Sequence, residues 1–187
     1  ASPALGHAPC SFTVLSVTEG PVSAEFGHRL ARALDEVLPG KTGCLTGWPD
    51  GADEAWFHAY EAAHARTIFV AHEVDCPWCR LSVRHADQIL LLADPNVPPR
   101  PGAREYLERI RSEWIRIDLV VRQSAEADLP QPVHPEVAMM PASIRIQVRE
   151  GHGGDFRRLA RLASGAARGL VLGGGGARAL ADVGVLQ

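Results

Sequence analysis

TIFVAHEVDCPWCRLSVRHADQILLLA, residues 67–93, decides the fold. Its two ends, Thr67–His72 and Gln88–Ala93, are almost wholly apolar and do not alternate with polar residues. A strand reads that way when both of its faces are buried. Pro77–Ala86, between them, reads as a helix. A strand, a helix and a second strand in this order make a parallel pair with a covering helix. The pattern extends in both directions. Phe12–Val17 (FTVLSV) predicts another buried strand, and Gly20-Pro21 turns the chain. Pro21–Leu38 carries Val22, Phe26, Leu30, Leu34 and Leu38 at four-residue steps, the stripe of an amphipathic helix. Pro39-Gly40 ends it. Residues 41–54 read as a glycine-rich loop and Ala55–Arg66 as a helix. Asp94–Pro101 is a proline-rich turn. Ala103–Trp114 reads as a helix with Leu107, Ile110 and Trp114 on one face, and Ile115–Val121 as a fourth strand.

The expected fold is therefore α/β: a mainly parallel, doubly wound sheet over residues 11–122, behind a linker tail at 1–10. Residues 123–154 form a linker with prolines at 130, 132, 135 and 141. Within it, Val137–Met140 is a candidate short strand and Ile144–Val148 (IRIQV) a candidate last strand. Residues 155–168 read as a connecting helix, with Asp155 as its cap, Phe156, Leu159 and Leu162 on one face, and Gly165 at its end. Residues 169–187 open a second α/β unit. There Gly169–Leu172 reads as a strand, four glycines follow, and a helix starts near Ala177.

Composition narrows the function classes. The 187 residues are 46% hydrophobic and 22% charged, with a net charge of −3 and no acidic or basic block. Nothing there points to nucleic acid. The longest apolar runs are too short to span a bilayer. ASPALGHAPCSF lacks the basic start and apolar core of a signal peptide. Four cysteines at this length do not make a disulfide scaffold, so a reducing cytoplasmic setting is expected. A first residue that is Ala and not Met fits a piece of a longer protein.

Three smaller motifs carry less. Cys76–Cys79 (CPWC) at a helix start resembles a redox dithiol, but a lone pair of this kind is weak evidence, and Cys10 and Cys44 do not complete a zinc site. The structural reading is preferred. Gly40–Thr42 (GKT) resembles the end of a phosphate loop, yet Asp35 stands where the first glycine should be and a helix precedes it. The turn that does follow a strand, Thr18–Ser23, has no lysine, so an active nucleotide hydrolase is not expected. The eight histidines show no paired-ligand spacing. Arg157, Arg158 and Arg161 make a basic helix face, which could meet anionic headgroups but reads first as a solvated face.

The glycines carry most. A strand, a glycine turn and a helix start present unpaired backbone N–H groups at positive potential. Such a turn holds an anion, either a phosphate or the oxyanion of an attacked ester. GLVLGGGGARALADVGVLQ resembles the opening of the patatin-like phospholipase domain, in its neuropathy target esterase branch. DFRRLARLASGAARGLVLGGGGAR resembles the approach to that domain. EAAHARTIFVAH and PWCRLSVRHADQILLLADP resemble the α/β region ahead of it.

The resemblance implies a serine hydrolase of phospholipid or lysophospholipid esters, with a Ser–Asp dyad and no cofactor or metal. It implies an oxyanion hole at Gly174, Gly175, Gly176, Ala177 and Arg178. It leaves room for peripheral membrane contact. Ala179 replaces the family's next glycine, and Asp182 stands where the family often has His. Cys79 replaces a family Thr, which further weakens the dithiol reading. The nucleophile motif G-x-S-x-G surrounds none of the nine serines, and no dyad aspartate is expected within the chain. The segment is therefore expected to be inactive alone. The alternative is a non-catalytic α/β regulatory or binding module with a degenerate nucleotide-binding-like fold.

Overall fold

The computed structural model describes residues 9–20, 23–111 and 115–169. Six strands and six helices alternate: β1 (Ser11–Ser16), α1 (Ser23–Val37), β2 (Thr42–Leu45), α2 (Glu54–Ala62), β3 (Arg66–Ala71), α3 (Pro77–His85), β4 (Gln88–Ala93), α4 (Ala103–Ile110), β5 (Arg116–Gln123), α5 (Pro135–Ala138), β6 (Arg145–Arg149) and α6 (Gly153–Ala163). The strands form one all-parallel sheet in the order β2-β3-β1-β4-β5-β6. β3 and β4 are buried at all six positions, as strands without polar alternation require, with Arg66, Thr67 and Gln88 the polar residues among them.

Each sheet face has its own core. On one, Phe26, Leu30 and Leu34 of α1 and Phe156 and Leu159 of α6 pack on Phe12, Val14, Ile68, Val70, Leu90, Val120, Ile146 and Val148. On the other, Cys79, Tyr106, Leu107 and Val137 from α3, α4 and α5 pack on Leu15, Ile89, Leu91, Ile117 and Leu119. The doubly wound α/β fold is the one expected.

Several local expectations are corrected. Residues 41–54 are not all loop: Thr42–Leu45 is the edge strand β2. Gly43 hid it, because glycine weakens a strand reading. The glycine is needed there, since a Cβ would meet the Tyr60 ring and its hydroxyl. Residues 137–140 are not a strand. Pro135 at the first turn and the His134 cap start the short helix α5 instead. Asp155 does not cap α6; the His152 ring accepts the Asp155 N–H in that role. The Asp155 carboxylate instead takes the backbone N–H and Nε of Arg149, the latter at 2.9 Å. Gly165 does lie just past the helix, with φ of 72°.

The stretch read as linker and connecting helix also supplies structure to the sheet itself. β6 pairs in parallel with β5, and α6 lies beside α1, with the Phe26 and Phe156 rings 5.1 Å apart.

Arg66 fixes the end of α1. Its side chain, 7% exposed, donates to the carbonyls of Leu38, Pro39 and Gly40 and to Thr42 Oγ1. These carbonyls belong to the turn that follows α1, and one buried cation answers all three. Arg66→Ala should lower unfolding free energy by about 3 kcal/mol, because buried acceptors lose their donor. Urea unfolding checks this, and a loss below about 1 kcal/mol would mean that the guanidinium is incidental.

The hydrogen bonds from Arg149 hold the Asp155 carboxyl down to about 2. A lowered folded pKa contributes stability above the unfolded value, about 4, and that contribution disappears as pH falls through the folded value. Acid titration should therefore destabilise the chain across that window, and Asp155→Asn should flatten the response there.

Candidate functional site: the carboxyl ends of the strands

The expected oxyanion turn, Gly174, Gly175, Gly176, Ala177 and Arg178, lies outside the described residues, as do Ala179, Asp182 and most of the expected strand 169–172. What the described residues offer is the carboxyl edge of the sheet. Ligands in open α/β sheets bind there, where neighbouring strands send their connections to opposite faces. β1 leads to α1 on one face, while its neighbours β3 and β4 lead to α3 and α4 on the other.

Residues of the β1–α1 turn are held from β4 and beyond. Thr18 is buried, its Oγ1 accepts the Asp94 N–H at 3.0 Å, and its carbonyl accepts Arg100 Nε at 3.2 Å. Asp94, at the end of β4, is paired with Arg122, at the end of β5. The pair is bidentate, with Nε–Oδ1 and Nη2–Oδ2 both 2.7 Å. Both side chains are largely buried, and Glu150 lies 3.4 Å from Arg122. Gly20 faces this pair: a Cβ there would collide with the Asp94 carboxylate. Beside it is a pocket of about 220 Å3 lined by Glu25, Phe26, Arg29, Arg122, Glu150 and Phe156 among others. Arg29 is itself paired with Glu25 at 2.5 Å.

An anion entering this crevice meets the carboxylates of Asp94, Glu25 and Glu150, with the two arginines already engaged by them. The groups present do not fit a phosphate chain. They fit a crevice closed by its own ion pair.

The other sequence candidates fall elsewhere. Lys41 of GKT precedes β2, at the amino end of the sheet and so opposite the crevice. Thr42 donates to Asp35 at 2.6 Å and accepts from Arg66, so it serves the end of α1. In CPWC, Cys76 caps α3 by accepting the Cys79 N–H at 3.2 Å. Cys79 is fully buried against the Tyr106 hydroxyl at 3.4 Å. Burial pushes its thiol up, the reverse of what a redox thiolate needs. Cys44 is likewise raised by burial, to about 11.

Histidines serve locally. His85 faces Glu61 at 3.1 Å, His58 lies 3.7 Å from Glu54, and His64 bonds the Tyr60 carbonyl. Among the described residues no group of three His, Cys, Asp or Glu side chains could hold a metal. Sequence reasoning missed Asp94 and Arg122. They lie 28 residues apart, and only the pairing of β4 with β5 brings them together.

No family model matches the chain. Among solved structures, the crystal structure of a ParA family ATPase from Chlorobium tepidum TLS shares the fold, with a TM-score of 0.50 over 86% of this chain and 92% of that one, at 12% identity. Given the closed crevice, millimolar ATP with magnesium should leave the melting temperature unchanged; a rise of several degrees would show that the Asp94–Arg122 pair opens for ligand. Sequence relatives are lysophospholipases. The chain is 28% identical to lysophospholipase nte1 of Aspergillus oryzae, 29% to that of Coccidioides immitis and 24% to that of Neurospora crassa, in each case over 93% of its own length. It spans about a sixth of the length of these curated relatives. NTE1 lysophospholipases are thus its homologues, and the similarity supports an NTE-related origin for nearly the whole chain.

Proposed function

We propose that this chain is the segment of a patatin-like serine esterase that leads into its catalytic domain. In this reading residues 9–169 form an accessory α/β unit. Residues 170–187 begin the catalytic domain, with Gly174, Gly175, Gly176, Ala177 and Arg178 as its oxyanion turn. The complete enzyme hydrolyses phospholipid or lysophospholipid acyl esters. A serine attacks the carbonyl, an aspartate takes its proton, and backbone N–H groups of the glycine turn hold the developing oxyanion. No cofactor is needed for that chemistry. The 187 residues alone are inactive in this reading, because none of their serines lies in the nucleophile motif.

The observation that carries the reading is the lysophospholipase similarity across 93% of the chain. Topology adds support for a new unit after residue 169. Connections on the α3–α4 face step from β3 to β4 to β5, and the β1-to-β2 connection on the α1 face steps the other way. Crossovers of one hand require this. α6 lies on the α1 face, so a strand following it would step from β6 back toward β5. Both edges of β5 are taken, by β4 and β6. The nearest free edge in that direction is at β2, across the whole width of the sheet, which favours the start of another sheet.

The test is hydrolysis of a lysophospholipid by the longer protein and by this chain. The longer protein should be active and this chain should match a boiled control. Gly175→Val in the longer protein should cut kcat by about a hundredfold with little change in KM, as expected when an oxyanion donor is misplaced. Full activity of that variant, or hydrolysis by the 187 residues, would overturn the reading.

A further inference from the structure

β6 ends the sheet, so one side of its backbone faces no other strand of the sheet. A groove of about 460 Å3 runs along it, between the 127–130 loop and α6. Ile144, Leu162 and Leu129 give it an apolar lining, and Leu129 is 80% exposed. Arg145, Arg149 and Arg158 line it as well, against Asp128 and Asp155.

The carboxylates do not neutralise these arginines equally. Asp155 is engaged by Arg149. Arg145 donates to the Ala138 carbonyl at 2.6 Å and Arg158 to the Gln147 carbonyl at 2.5 Å. Those bonds fix the two guanidinium groups in place and leave their charge uncompensated. Arg161, exposed one turn beyond Arg158, extends the row. Among the described residues none of Arg145, Arg158 and Arg161 makes an ion pair with a carboxylate. Residues 144–169 hold six arginines and two carboxylates, in a chain whose net charge is −3. Positive charge is thus concentrated on the β6–α6 side.

We propose that this groove docks the protein on an anionic phospholipid surface. A guanidinium offers a fork of donors to a phosphodiester. An exposed leucine beside an apolar groove suits the acyl boundary just beneath the headgroups. An oligonucleotide backbone would use the arginines but bury no acyl or other aliphatic surface on Leu129. The inference stands on charge and apolar surface alone, so its failure leaves the esterase reading where it was.

Sedimentation with vesicles tests it, comparing pure phosphatidylcholine with a mixture containing phosphatidylserine. The chain should bind only the mixture and should be released by high salt. Each basic side chain near such a surface contributes about fivefold in partitioning, so the double variant R158Q/R161Q should bind about twenty-fivefold more weakly. Leu129→Asp should weaken binding and leave its dependence on phosphatidylserine. Arg104→Gln, at an exposed position of α4 on the other sheet face, should change nothing. If the double variant does not fold, the salt and lipid dependence of the unmodified chain still decides. Equal binding to both vesicles, binding to neither, or a folded double variant that binds as well as the original overturns the proposal.

Discussion

A sheet of parallel strands has two apolar faces, and each must be covered along its whole width. This requirement governs the molecule. α1 covers one face only above the strands nearest β1. Val120, Ile146 and Val148, toward the other edge, share that face and are buried because α6 lies over them. The contact between Phe26 and Phe156 joins the two helices into one layer. Without α6, half of that face would be open to water. The sequence between β5 and residue 169, rich in proline at its start, is therefore part of the same folded unit.

The carboxyl edge tells a related story. The fold brings the ends of β1, β4, β5 and β6 together at the place where doubly wound sheets hold their ligands. Here Asp94 and Arg122 meet across that place, and Gly20 allows the turn to approach them. The ion pair ties the ends of β4 and β5 to the first turn in the way that a bound ligand would. Likeness to an ATPase fold and the lack of a lysine in the first turn are then compatible. The architecture is shared, and the mouth of the crevice is filled by an ion pair.

The fold class was readable because buried parallel strands leave an unmistakable record: QILLLA and TIFVAH have no polar alternation. The long stripe of α1 was readable for the same reason. Failures came where one residue answers to a distant partner. Gly43 looks like loop until Tyr60 lies over it, and Asp155 looks like a cap until Arg149 takes its carboxylate. Proline spacing suggested a linker after residue 123, but prolines at a helix start and in turns are compatible with a folded layer. The carboxyl-edge pair was invisible, since sequence distance says nothing about which strands become neighbours. The glycine run at 173–176 was conspicuous by composition, and it lies outside the described residues.

Hydrogen exchange on a longer protein that continues past residue 187 tests the central claim most directly. If α6 completes the sheet, the amides of Phe156–Ala163 and of β6 will open with the same free energy as those of β1 and β4, in one cooperative unit. Fast, independent exchange of α6 would contradict the account, because a helix that opens alone cannot be what closes the sheet.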